Sequence, residues 1–246
     1  LNHWTDAMDK GYYQPGIGAA PKVSGLRSIC MSGVGWGFGV RNDGTLFNWG
    51  KGDFYQSGGG SYQGLFTHPN VKNIKDAVKV ACLRYSVMVL SSNGKVHYWG
   101  KVTNNEQSVT YPTAMPSYSD IVDIAAANYA GAVLDKNGKV SIFGYEKLNV
   151  YANLKEKTGY KAIFGGGGGF VGVKTNGEIT LAAGDKSGNK HATPSLTNVV
   201  QAAVGNDKMT GIALHANGTV TVWGTNQFSG LKVPSDLKKV VAVAAS

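Results

Sequence analysis

No stretch of eighteen apolar residues occurs in this 246-residue chain, so none of it reads as a membrane-spanning helix. Cysteine is nearly missing, with only Cys30 and Cys82. A disulfide framework or a zinc site needs more cysteines at tighter spacing, so two free, buried thiols behaving as small apolar side chains are expected. Charge is sparse as well: Asp, Glu, Lys and Arg make up 16% of the chain. The formal net charge of +9 favours attraction to an acidic partner, yet no five-residue basic run exists. Lysines fall in loose groups such as Lys72, Lys75, Lys79 and Lys155, Lys157, Lys161. Phosphate tracking needs clustered cations, so nucleic acid is not the expected partner. The chain begins at Leu1, and no basic segment followed by an apolar one precedes its repeats. No targeting segment is therefore expected in it, and its compartment is not written there.

Catalytic signatures are missing too. There is no Gly-x-Ser-x-Gly elbow and no phosphate loop ending in lysine. His3, His68, His97, His191 and His215 fall in different repeats, and no pair has metal-ligand spacing. Gly167-Gly168-Gly169-Phe170-Val171-Gly172 fits the Gly-x-Gly-x-x-Gly pattern, but a strand rather than a helix is expected after it, so no pyrophosphate site forms. The expectation is a chain with no catalytic residues, no cofactor and no metal. Asn217-Gly218-Thr219 fits a glycosylation sequon, and its place among equivalent turns is explanation enough.

Glycine is abundant, at 35 residues, and much of it sits in a recurring unit. Asn217-Gly218-Thr219-Val220-Thr221-Val222-Trp223-Gly224 reads as a tight turn leading into a short strand that closes on glycine. The pattern recurs over Asp43 to Gly50, Asn93 to Gly100 and Asn137 to Gly144, and more loosely over Asn176 to Gly184. The turn glycines Gly44, Gly94, Gly138, Gly177 and Gly218 are 50, 44, 39 and 41 residues apart, the period of a β-propeller blade. Opening strands are expected at Leu26 to Met31, Ala77 to Cys82, Ile121 to Ala126, Tyr160 to Phe164 and Val199 to Ala203, each followed by a second strand and then the turn. Cys30 and Cys82 are displaced by one position between repeats, so their side chains are expected on opposite strand faces. The fold class is all-β: a propeller of short, about 40-residue four-stranded blades, five complete and one split or partial. Residues 1–246 form one domain, with 1–14 and 239–246 contributing to a shared closing blade, or with the chain a piece of a longer polypeptide. The aromatic column Trp49, Trp99 and Trp223, filled by Phe143 and Ala183 elsewhere, is expected to pack between blades.

This order of strands, Asp/Asn-Gly turn and hydrophobic-x-x-Trp-Gly resembles the regulator of chromosome condensation repeat superfamily. In its short repeats and its Val233-Pro234 connection the chain is similar to the secreted β-lactamase inhibitory propeller of the second type. The resemblance implies a propeller. It departs from the pattern where His-Ser is common eight residues before the turn glycine, which here reads Trp36-Gly37, Ser86-Val87, Ala130-Gly131, Gly169-Phe170 and Thr210-Gly211. That departure weakens any chromatin or nucleotide-exchange role, and fold is in any case a better guide to architecture than to function.

In an antiparallel blade, the loops joining strands one to two and three to four leave from one end, and the two-to-three turn from the other. The uniform turns are too short to recognise much. The opposite end carries variable segments with Trp36, Phe54, Tyr55, Tyr85, Tyr129, Tyr145 and Phe228, residue types that dominate protein interfaces. These seven are the candidate partner-binding residues. The expected function is a non-enzymatic recognition or structural module of a larger extracellular assembly, such as a virion surface component or an adhesin. A secreted protein inhibitor of an enzyme and a chromatin- or nucleic-acid-associated propeller are the alternatives.

Overall fold

The computed structural model describes residues 24–32, 36–49, 73–101, 108–114, 118–128, 130–144, 151–183, 192–205, 210–224 and 232–245; of residues 49, 101 and 108–114 it describes the backbone alone. The chain divides into two compact units, Leu1–Ile121 and Val122–Ser246. In the first, β1 (Leu26–Met31), β2 (Gly37–Arg41) and β3 (Leu46–Trp49) form one antiparallel sheet in sequence order. A second sheet holds β4 (Ala77–Cys82), β5 (Ser86–Ser91), β6 (Val96–Lys101) and β7 (Ser108–Ala114). The second unit has three sheets of the same order. They are β8 (Ile121–Ala126), β9 (Ala130–Asp135) and β10 (Val140–Gly144); β11 (Tyr160–Gly166), β12 (Gly169–Lys174) and β13 (Ile179–Ala183); and β14 (Val199–Val204), β15 (Gly211–His215) and β16 (Val220–Trp223). Among the described residues no helix is long and apolar enough to cross a membrane.

Each second-to-third-strand connection is a three-residue loop. Gly44 donates its N–H to Arg41 O at 2.9 Å and Arg41 donates to Thr45 O at 2.9 Å, and the other four turns repeat the pair. Glycine ends each turn in a left-handed conformation, with φ between 78° and 85° at the five turn glycines. This is a type I turn closed by a glycine bulge. The preceding Asp or Asn fixes it: Asp43 Oδ1 accepts from the Thr45 amide at 2.9 Å, and Asn93, Asn176 and Asn217 do the same for Lys95, Glu178 and Thr219. In the third turn Asp135 takes over, accepting from the amides of Asn137 and Lys139.

The same glycines tie one repeat to the next. Gly44 O accepts from Ala77 N at 3.1 Å, and the pairs Gly94–Ile121, Gly138–Tyr160, Gly177–Val199 and Gly218–Val240 repeat this bond. A Cβ on Gly44 would lie 2.4 Å from Lys75 O, so this position needs glycine both for its φ and for the close approach.

A second device is carried by the opening strands. Pairing of β1 with β2 slips between Leu26 and Ser28, and β4, β11 and β14 slip at the equivalent place. Such a bulge re-aims the residue after it. Ser28 Oγ accepts from Val80 N at 3.1 Å. In β8, at the same strand position, Asp123 Oδ2 accepts from Ile163 N at 3.1 Å while its Oδ1 holds Ile124 N at 2.9 Å. Gln201 Oε1 accepts from Val243 N and its Nε2 donates to Val243 O, both at 3.2 Å. In these three repeats the third opening-strand residue thus holds the fourth of the following one. Asp123→Ala should cost about 2 kcal/mol in chemical denaturation, because two amides of buried residues lose their acceptor, and Asp123→Asn should recover part of it. A wild-type midpoint for the alanine variant would show that these bonds add nothing.

The middle strands are buried on both faces. In the first unit, Phe38 stacks edge-on between Trp36 and Trp99, with ring centroids 5.8 and 5.5 Å apart, inside a cluster that adds Val40, Val80, Val87 and Val89. In the second, one cluster joins Leu134, Ile142, Ile163 and Phe170, and another joins Val173, Leu181, Val199 and Val204 with Trp223 against it. Trp99, Ala183 and Trp223 from the aromatic column therefore pack between sheets.

The cysteines are not free. Cys30 and Cys82 form a disulfide, Cα to Cα 5.4 Å, joining β1 to β4. The expectation of two thiols rested on the small number of cysteines and on their one-residue offset, and stacking reverses the meaning of the offset. Adjacent sheets meet front to back, so equivalent residues point the same way, and facing sulfurs must come from opposite faces of their own strands. The Ser28–Val80 bond, two residues upstream of each cysteine, shows that these faces meet.

The fourth strand expected in every blade is found in one sheet, as β7, among the described residues. In the third repeat, residues 151–156 form a turn whose end takes its place: Val140 donates to Lys157 O and accepts from Glu156 N. In the fourth, an irregular segment around Pro194 offers Thr193 Oγ1 to Leu181 N at 3.0 Å, and Pro234 lies in the corresponding stretch of the fifth. Proline supplies no ladder donor, which keeps both stretches irregular. Of the expected closing blade, residues 1–14 lie outside the described residues. Residues 239–245 are not a strand, yet Lys239 has φ +57°, matching Asp120 and Asn198 before β8 and β14, and Val240 makes the inter-repeat bond.

Candidate functional site

Of the seven aromatic residues proposed to face a partner, Trp36 and Tyr85 are among the described residues. Trp36 is 2% exposed and belongs to the core of the first unit. Its ring stacks on Phe38, and its buried Nε1 has no hydrogen-bond partner among the described residues. Truncating it would test packing rather than recognition. Phe54, Tyr55, Tyr129, Tyr145 and Phe228 lie outside the described residues. Tyr85 is described, half-buried in the link between β4 and β5.

Around Tyr85 the chain builds a small rigid platform. Leu83 is buried and donates its N–H to Ser86 O at 2.8 Å, closing the link tightly. Arg84 is exposed, and its guanidinium carbon sits 5.1 Å from the centre of the Tyr85 ring. That distance allows a cation–π contact, and it presents a planar cation and an aromatic edge together. Ser32 Oγ donates to Arg84 O at 2.9 Å from the β1–β2 link, and Cys82 ties the base of the platform to Cys30. Arginine and tyrosine held on a fixed backbone are the residue types that carry binding energy at interfaces. The sequence reading named Tyr85 and passed over Arg84, although both sit in a link whose residues do not repeat.

In the second unit, part of the described equivalent end is glycine backbone. Gly165 and Gly166 close β11, and a Cβ on them would lie 2.1 Å from Ala126 O and 1.6 Å from Val204 O. Gly168 donates to Gly205 O at 3.1 Å. This glycine run lets three sheets crowd together, and β12 follows it, so the dinucleotide-like pattern is a packing device.

The charged groups at the turns are engaged locally. Hydrogen bonds from Thr45 hold the Asp43 carboxyl below the ordinary range. Lys174 bonds Glu178 at 3.0 Å, and this contact lowers the carboxyl and raises the lysine. Glu156 is likewise lowered by its bond to Lys139. Burial holds His97 below the usual histidine range and pushes Tyr98 up to about 12, against the opposing bond it donates to Ser86 Oγ. His215 is held at both nitrogens, by Thr197 O at 2.8 Å and Thr221 Oγ1 at 2.9 Å. Among the described residues no three His, Cys, Asp or Glu side chains gather as a metal site.

Repeated antiparallel sheets bonded turn to strand, with variable links at the opposite end of each sheet, define a β-propeller repeat protein. Comparison with solved structures agrees. The chain is similar in fold to human WBSCR16, with TM-score 0.63 and 14% identity over 85% of this chain and 67% of that one. It is similar as well to yeast RCC1 (Prp20) bound to Kap60, with TM-score 0.64 and 17% identity over 82% of this chain and 56% of that one. Over 104 residues it is 31% identical to the human E3 ubiquitin-protein ligase HERC2, a match covering 37% of this chain and about 2% of that protein. No family model matches the chain. The fold is therefore an RCC1-like propeller, while the likeness to the secreted β-lactamase inhibitory propeller rests on repeat style alone.

Proposed function

We propose that this chain is a non-enzymatic recognition or structural module of a larger extracellular assembly, such as a virion surface component or an adhesin. It engages a protein partner through the variable links, with Arg84 and Tyr85 as anchors. The observation that carries this reading is the contrast between the two ends of the sheets. The turn end is uniform, with its glycines bonded into the next repeat, whereas the link end holds exposed Arg84 against half-buried Tyr85 on a disulfide-anchored base. A protein of the same fold, Prp20p from Saccharomyces cerevisiae, is described by its binding to Gsp1p and histones, which supports a protein-binding role. The Cys30–Cys82 bond supports an oxidising, extracellular setting, because cytosolic thiols are kept reduced. Asp43, Glu156, Glu178, Lys139 and Lys174 are committed to structural bonds, which supports recognition rather than catalysis.

The test compares two variant classes with the partner captured from the native assembly. Arg84→Ala and Tyr85→Ala should weaken binding by about 2 kcal/mol, roughly thirtyfold, at unchanged melting temperature. Gly44→Ala should instead lower the melting temperature. Loss of binding by the turn variant at unchanged melting temperature, with normal binding by the link variants, would mean that the functional end has been assigned backwards.

A further inference from the structure

We propose that Asn217 is an acceptor for an N-linked glycan. The proposal rests on the extracellular reading above. In the whole chain only Asn217 is followed, one residue removed, by a hydroxyl-bearing residue, Thr219, with no proline between. The turn accounts for asparagine and glycine here, but it leaves the reactive atom unused. Asn217 Oδ1 accepts from the Thr219 amide at 3.0 Å and from Thr219 Oγ1 at 2.6 Å, while among the described residues Nδ2 has no hydrogen-bond partner. Asn217 is exposed, so a branched sugar attached there displaces no packed side chain.

The equivalent turns are closed to this chemistry. Asp43 has the same two bonds from Thr45 but no carboxamide nitrogen. Lys95, Lys139 and Glu178 stand where Thr219 stands, and the last two are paired with Glu156 and Lys174. Beside Asn217 lies an open cavity of about 250 Å³, lined by Thr197, Asn198, His215, Ala216, Asn217 and Thr219. Its walls offer hydroxyl and amide groups, and the His215 ring is fixed by Thr197 and Thr221. One sugar ring can rest there with partners for its hydroxyls.

The reaction is group transfer by a cellular oligosaccharyltransferase from a lipid-linked oligosaccharide diphosphate. Asn217 Nδ2 bonds to C1 of the donor sugar, the C1–oxygen bond to diphosphate breaks, and the amide proton goes to the enzyme's base. No oxidation or reduction occurs.

The full chain, secreted by eukaryotic cells, is analysed by intact mass before and after peptide-N-glycosidase, and its thiols are counted by alkylation without reductant. The expected result is one glycan, lost on enzymatic release with Asn217 converted to Asp, and two unreactive cysteines. Asn217→Gln and Thr219→Ala should each abolish the modification, and Thr219→Ser should keep it at reduced occupancy. An unmodified Asn217 in protein with an intact Cys30–Cys82 bond would overturn the proposal and leave the extracellular reading standing. Two alkylated cysteines would overturn that reading alone if Asn217 carries the glycan, and both together if it does not.

Discussion

Gly166→Ala should destabilise the protein by about 3 kcal/mol or more, read as a lowered denaturation midpoint with faster amide exchange in β11 and β14. The added methyl carbon would lie 1.6 Å from Val204 O, less than half of ordinary contact distance. Its neighbour is backbone in a paired strand, so no rotamer change relieves the overlap. The sheets must separate, which would loosen the packing of Val173, Leu181, Val199 and Val204. Gly159→Ala is the control: its φ is +90°, but among the described residues nothing lies within 4 Å of an added Cβ. That variant should show only the conformational cost, roughly 1–2 kcal/mol. Equal midpoints for the two would remove close approach as the reason for glycine at 166.

The repeat was readable because its turns obey one stereochemical demand. A residue with positive φ recurs as glycine, and the apolar strands on either side follow it at fixed offsets, so Ala77 to Cys82 and Ile121 to Ala126 were located to the residue. Trp36 shows a misreading rather than a silence. Trp36-Gly37-Phe38-Gly39-Val40 alternates large and absent side chains, which puts Trp36, Phe38 and Val40 on one buried face. Placing the tryptophan by its position in a link, instead of by this pleat, made it a surface anchor. A Cβ on Gly39 would touch the Phe47 ring at 2.2 Å, so the glycines of the alternation serve the opposite face. The bulge after the first opening-strand residue has no such signature. Ser28, Asp123 and Gln201 share only an acceptor atom, and the neighbouring backbone that they bind is many residues away. Arg84 was missed for a similar reason, since its contact with Tyr85 is a matter of side-chain placement.

Removing the disulfide should have the largest effect of any change considered. Cys30→Ser with Cys82→Ser, or reduction of the native protein, should cost about 4 kcal/mol, the loop entropy expected for this separation. The bond closes 52 residues of sequence, which include the longest link between repeats, so the unfolded chain without it gains many conformations. It also clasps β1 to β4 where Ser28 and Val80 meet, and both cysteines rest against the Trp36, Phe38 and Trp99 cluster. At roughly 2–4 °C per kcal/mol for a chain of this size, a melting temperature lower by about 8–16 °C is expected. The double alanine variant separates cross-linking from side-chain effects, since its residues are smaller and apolar but cannot bridge. Both double variants should melt together, well below the oxidised protein, and dithiothreitol should bring the oxidised protein down to them without altering either. If dithiothreitol left the wild-type melting temperature unchanged while mass analysis showed both thiols free, the clasp would contribute nothing. Val80, Phe38 and the Ser28 bond would then hold the two sheets together by themselves.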